Sequence, residues 1–150
     1  MFTIVQWQDI SKISLNELLQ KSTYTLLYFY PKDNTPGCTK EAVDFTNLQD
    51  DFSDLDIQIV GVSKDSENSH CKFTDKHNLS IPLISDPELT LHKQFGARWE
   101  KNNYGKIVQW VIRSTFLLDK NWQIVKERTN VRATWHAERV LKEVQWLDLL

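Results

Sequence analysis

The chain reads as an α/β protein with a central mixed sheet flanked by helices, and three stretches carry that expectation. Leu26-Leu27-Tyr28-Phe29-Tyr30 is a near-continuous apolar run, the pattern of a strand covered on both faces. From Cys38 to about Phe52 the residues Ala42, Phe45, Leu48 and Phe52 recur at three- and four-residue spacing. That spacing predicts a helix with Lys40, Glu41, Asp44 and Asp50 turned outward. Ile57-Gln58-Ile59-Val60-Gly61-Val62 is a second buried-strand pattern. Strand, helix and strand in this order give a parallel pair with a right-handed crossover, and catalytic groups then gather at the carboxyl ends of the strands.

The other elements follow from local signals. Ser14-Leu15-Asn16-Glu17 has the form of a capping box, with Leu15, Leu18 and Leu19 on one face of a short helix. Asp65 or Ser66 can cap a helix through about His77, with a stripe of His70, Phe73 and His77. Pro82-Leu83-Ile84 is a short extended segment. Asp86-Pro87-Glu88 is a helix start, with Leu91 and Phe95 four apart and Gly96 as the stop. Ala97 to Lys106 is expected to be irregular and Ile107 to Leu118 to be strand. Asp119-Lys120-Asn121 supplies a turn with Asn121 left-handed, and Trp122 to Arg128 returns as the hairpin partner. A last helix aligns Ala133, Ala137, Val140, Val144 and Leu147.

At 150 residues the chain has the length of one domain, and neither a linker nor an internal repeat divides it. The net charge of −2 gives no basic surface for nucleic acid and no polybasic segment for anionic lipid. The first residues lack a positive region followed by a sustained apolar segment, so a cytosolic location is expected. Two cysteines in that reducing compartment suit a transient catalytic disulfide better than a structural one.

Cys38 stands where the loop Pro31-Lys32-Asp33-Asn34-Thr35-Pro36-Gly37 delivers the chain into its helix. A helix N-terminus carries unpaired N–H groups and partial positive charge, which favour a thiolate over a thiol. Two prolines and a glycine shape the turn, where backbone amides can converge on an anion. A small buried cysteine fits the same position, and both readings stand at this point.

The loop also matches P-x-x-x-T-x-x-C, the peroxiredoxin signature. The string from Tyr28 through Cys38-Thr39-Lys40-Glu41-Ala42 resembles the bacterioferritin-comigratory or Q-type subfamily. Three further stretches agree: Gly61-Val62-Ser63-Lys64-Asp65-Ser66 with Ser69-His70, Pro82-Leu83-Ile84-Ser85-Asp86, and Arg113-Ser114-Thr115-Phe116-Leu117-Leu118-Asp119. The resemblance implies a thioredoxin-like fold and a thiol-dependent peroxidase acting on hydrogen peroxide and small organic hydroperoxides. Two departures stand out. The segment before Cys38 is too short for the full N-terminal hairpin usual in the family, and Trp135 replaces the glycine expected before His136.

By this resemblance Cys38 is the peroxidatic cysteine, oxidised to a sulfenic acid. Arg113 stabilises the thiolate and the departing oxygen, Thr35 presents a hydroxyl to sulfur and peroxide, and Pro31 shields the thiolate. The Gly37 and Cys38 N–H groups can bind peroxide oxygens. Many Q-type members resolve the sulfenate with a cysteine five residues on, where this chain has Val43. Others place that cysteine on the helix after the second strand, near Thr74, and Cys71 lies one turn earlier, off the expected core stripe. Cys71 is therefore the candidate resolving cysteine, with thioredoxin or another thiol as reductant and a monomer or weak homodimer as the assembly.

Two alternatives accompany this: a single-cysteine cycle resolved by an external thiol, and a thioredoxin-like redox-sensing binding module. A dithiol oxidoreductase is disfavoured because Glu41, not cysteine, stands three after Cys38. No cofactor is implied, since sulfur does the redox work. His70, Cys71 and His77 lack the spacing of a closed zinc site. His92 and His136 are expected at helix surfaces or in packing, and Trp99 and Tyr104 as walls of the pocket.

Overall fold

A computed structural model describes residues 2–6, 9–129 and 136–146. Seven strands form one mixed sheet in the order β2-β1-β5-β4-β3-β8-β9. At its centre β3 (Tyr24–Phe29) runs parallel to β4 (Ile57–Ser63), and β4 runs parallel to β5 (Leu83–Ser85). On the other side β8 (Ser114–Asp119) pairs antiparallel with β3, and β9 (Ile124–Arg128) pairs antiparallel with β8. An N-terminal hairpin, β1 (Phe2–Gln6) and β2 (Asp9–Ile13), closes the opposite side by pairing β1 antiparallel with β5. The segment expected to be too short for a full hairpin therefore does fold as one, with five residues in each strand.

Strand alternation sorts the core onto two faces. Leu26, Tyr28 and Tyr30 join Ile57 and Ile59 beneath α2 (Pro36–Asn47), α3 (Gln49–Ser53), α4 (Glu67–His77) and α6 (His136–Trp146). Leu27, Phe29, Val60 and Val62 face α1 (Leu15–Leu19) and α5 (Thr90–Phe95) on the other side. Each fully buried Leu, Val or Phe contributes about 1.5–3 kcal/mol, so helices on both sides are what lets the central run be apolar throughout. Gly61 is fixed by packing: a Cβ there would lie 2.8 Å from the Leu83 side chain and 2.9 Å from the Tyr28 ring, which crosses over it.

Several expectations met a local competitor. The helix from Cys38 does not run unbroken to Phe52. It turns at Leu48 (φ −96°, ψ 3°), after the weak helix formers Thr46 and Asn47, while Phe52 still reaches the core. The helix expected at Asp86-Pro87-Glu88 begins at Thr90, because the Asp86 carboxylate reaches forward to the N–H groups of Thr90, Leu91 and His92. The stretch expected to be irregular is a separate two-stranded ribbon, β6 (Arg98–Asn103) with β7 (Lys106–Val111), turning at Gly105 (φ 81°). The predicted strand from Ile107 to Leu118 is thus two strands interrupted at Ile112 and Arg113. At the last hairpin Trp122 (φ 69°), not Asn121, is left-handed, since the Asp119 carboxylate accepts from the N–H groups of both Asn121 and Gln123. On α4 Thr74 is buried beside His70 and Phe73, and His77 is half-buried with its ring edge-on to Phe73. Of the final stripe, Ala137, Val140 and Val144 are buried, while Ala133 and Leu147 lie outside the described residues, as does Trp135.

Candidate active site

The loop leaving β3 enters α2 with Thr35 at the N-cap position and Pro36 opening the helix, so Cys38 lies in the first turn. The first bond of the helical ladder runs from the Thr39 N–H to the Thr35 carbonyl at 2.8 Å. The Thr35 hydroxyl does not cap this end; it turns back and donates to the Lys32 carbonyl at 2.8 Å. The N–H groups of Gly37 and Cys38 therefore stand ahead of the ladder, as the first donors of an α-helix do. Expectation placed the Thr35 hydroxyl on the sulfur. Here its proton is committed to Lys32, and only its lone pairs remain to accept.

Arg113 follows the ribbon, in the two-residue break before β8, and it is the group that meets the sulfur. Its Nη2 donates to Cys38 Sγ at 3.2 Å and its Nη1 to Glu41 Oε1 at 2.5 Å. A rigid planar fork serves sulfur and carboxyl at once. Burial works against the guanidinium charge, but the Glu41 carboxylate and the Cys38 sulfur outweigh it and raise the Arg113 pKa above its ordinary value. Cys38 is buried at 1% exposure, a core residue with the Arg113 guanidinium on its sulfur.

Glu41 corrects the helical reading. It was expected on the outer face, yet it is 0% exposed. Burial pushes its carboxyl up from 4.5 to about 7, against the lowering effect of Arg113. Its other oxygen, Oε2, has no hydrogen-bond partner among the described residues and lies 4.0 Å from His136 Nε2. His136 is itself buried and shares a 2.6 Å hydrogen bond with the Thr115 hydroxyl. Burial, aided by Arg113, takes the His136 pKa down from 6.5 to about 4, so the ring is neutral at pH 7. The signal for Glu41 was its place three residues after Cys38, on the same flank of the helix. Nothing in the sequence pattern marked His136 as lying beside the site.

A second cluster supports the loop from beneath. The Asp33 carboxylate accepts from the Tyr30 hydroxyl at 2.6 Å and the Ser69 hydroxyl at 2.7 Å, and meets His70 Nδ1 at 2.7 Å. The Asp33 N–H donates to Asp65 at 2.8 Å. His92, also buried, pairs with Asp86 at 2.7 Å and packs edge-on against Phe29.

Not every candidate residue converges on the sulfur. Cys71 is half-buried on the flank of α4 and is a free thiol, as is Cys38. Burial, then the Asp75 and Glu67 carboxylates, push the Cys71 thiol up from its ordinary value. Pro31 is half-buried at the start of the loop. Tyr104, expected to wall a pocket, is fully exposed at the tip of the ribbon, and the Trp99 side chain lies outside what is described.

Comparison with known proteins decides the family. The model of the AhpC/TSA family matches residues 2–127. Peroxiredoxin Bcp of Bacillus subtilis is 44% identical over 125 residues, which cover 83% of this chain and 80% of that protein. The chain belongs to the peroxiredoxins. The peroxiredoxin fold is equally plain in solved structures. One of Xanthomonas campestris peroxiredoxin Q superposes with a TM-score of 0.86 at 36% identity, covering 99% of this chain and 91% of that one. A structure of the Xanthomonas campestris bacterioferritin comigratory protein, studied for alkyl peroxide reduction, gives a TM-score of 0.85 at 36% identity over 97% and 90% of the two chains. Structures of the Xanthomonas peroxiredoxin Q also exist with either of two cysteines replaced by serine. As a peroxiredoxin of the Bcp and Q type, this chain is a thiol peroxidase, which uses a hydroperoxide as oxidant and a thiol as reductant.

Proposed function

We propose that Cys38 is the sulfur that reacts with the peroxide, and the 3.2 Å donation from Arg113 to Cys38 Sγ is the observation that carries this assignment. A permanently charged donor favours the thiolate and then the negative charge that develops on the leaving oxygen. The thiolate attacks one peroxide oxygen, the O–O bond breaks, and the alkoxide or hydroxide takes a proton and leaves as alcohol or water, with Cys38 as the sulfenic acid. The Gly37 and Cys38 N–H groups are the donors nearest to hold the peroxide, the Thr35 hydroxyl oxygen can accept a hydrogen bond from the peroxide O–H, and Pro31 limits water at the sulfur. Hydrogen peroxide and small organic hydroperoxides suit a sulfur this closely enclosed.

Cys71 then attacks the sulfenate, with the first turn of α2 opening to bring the two sulfurs together. Supporting this are its half-buried position on α4, the helix where some relatives carry their second cysteine, and the Xanthomonas cysteine mutants. The one domain is cytosolic, a monomer or weak homodimer, and thioredoxin reduces the disulfide. The test is mass spectrometry after one equivalent of peroxide, alongside turnover of a Cys38→Ser variant. The expected outcome is a Cys38–Cys71 disulfide in the native chain and loss of more than about a thousandfold in turnover in the variant. Persisting turnover in the variant would remove Cys38. A sulfenate or adduct on Cys38 with Cys71 still free would replace Cys71 by an external thiol.

A further inference from the structure

Asp33 is five residues before Cys38, and His70 immediately precedes Cys71. The two segments that carry the cysteines are joined at this pair, 2.7 Å between His70 Nδ1 and the Asp33 carboxylate, in a place where Asp33 is 5% and His70 0% exposed. The other His70 nitrogen, Nε2, lies 3.0 Å from the Ile84 carbonyl, so both ring nitrogens face acceptors. Ser69, the neighbouring residue of α4, donates its hydroxyl to the same Asp33 oxygen at 2.7 Å. Its N–H donates to the Ser66 hydroxyl oxygen that caps the helix, so the first turn of α4 is tied at both its backbone and its side chains. Asp33 is held in turn by Tyr30, the residue after β3, and by Asp65 from the loop before α4, the latter also bound to the Ser63 hydroxyl at 2.9 Å.

The peroxide step needs none of these groups on the sulfur. The disulfide step does involve them, because Cys71 must leave the flank of α4 to reach Cys38. From this we infer that Asp33 and His70 are positioning residues that gate resolution. While joined they hold the Cys38 loop closed under α2 and the first turn of α4 wound; parting them is the opening that lets Cys71 attack. The inference rests on the assignment of Cys38 and Cys71 above. The gated step is balanced without any added reagent: the Cys71 sulfur attacks the sulfur of the Cys38 sulfenic acid, the S–S bond forms as the S–O bond breaks, and hydroxide leaves with the Cys71 proton as water.

Rapid quenching after one equivalent of hydrogen peroxide, read by mass spectrometry, separates sulfenate formation from disulfide formation. In Asp33→Asn the disulfide step should be about tenfold faster, the scale of a buried hydrogen bond to a charged group, with sulfenate formation no faster than in the native chain. Ser69→Ala removes one of the ties and leaves the pair, and should accelerate the same step by about two- to threefold. A pair that only stabilised the fold would slow both steps or neither. A disulfide step unchanged or slower in both variants, each with a native circular dichroism spectrum, overturns the gate alone. Should Asp33→Asn fail to fold, Ser69→Ala decides by itself. If the native chain forms no Cys38–Cys71 disulfide, the Cys71 assignment fails, and the gate falls with it.

Discussion

The two cysteines of this chain sit in opposite surroundings. Cys38 is enclosed at a helix start with a guanidinium on its sulfur, and that guanidinium is itself anchored by a buried carboxylate. Cys71 is half-buried in the middle of a helix, with Asp75 and Glu67 for neighbours and a thiol pushed up from its ordinary value. A guanidinium faces one sulfur, and two carboxylates lie near the other. On the assignment proposed above, the contrast gives the pair an order: the oxidant meets Cys38 first, and the second thiol reacts when it is presented to an already oxidised partner.

The largest test of this contrast is Arg113. Replacing it with alanine should slow sulfenate formation by about 10²- to 10³-fold, and lysine should recover only part, because a point charge cannot serve sulfur and carboxylate together. Stopped-flow reaction with peroxide measures both, and a loss within threefold for alanine would mean that the guanidinium does not distinguish Cys38 from Cys71. Next is Glu41→Gln, expected to slow the same step by about tenfold through loss of the charge that aligns Arg113. It also has a signature in stability. With Glu41 raised from 4.5 to about 7, the folded chain holds a proton in that window that the unfolded chain has released. The associated stability is full below 4.5 and lost as pH rises through about 7. Thermal melts should therefore show the native chain losing ground to Glu41→Gln as pH rises across that window. The smallest effect belongs to Asp75→Asn, which should lower the Cys71 thiol toward its ordinary value. In a Cys38→Ser background, alkylation of Cys71 at neutral pH should rise by about twofold. An unchanged rate would leave burial, the larger cause, to account for the whole shift.

Much of the scaffold was legible because its signals are local. The apolar run of β3, the prolines and glycine before Cys38, and the caps at Ser14 and Ser66 each act within a few residues, and the structure uses them as read. Arg113 became legible only through resemblance, since an arginine between strands carries no mark of its partner. Glu41 was misread for a physical reason: helical periodicity assigns charge to the solvent, and the cation that pays for its burial is 72 residues away. The pairing of Asp33 with His70 spans 37 residues and is likewise a product of the tertiary fold. Where side chains recruited nearby backbone, as at Asp86 and Asp119, the turns moved by one to four residues from where propensity alone placed them.

The antiparallel register of β3 with β8 sets Phe29 opposite Ser114. The chain leaves one strand toward Cys38 at the same edge where it arrives at the other from Arg113. The separation of sulfur and guanidinium is therefore gauged by six paired residues of sheet, from Tyr24 with Asp119 to Phe29 with Ser114, and not by the long path between them. A slip of two residues in that register would carry Arg113 roughly 7 Å along the strand and out of reach of the sulfur. Lengthening the ribbon turn at Tyr104 and Gly105 would leave the gauge untouched.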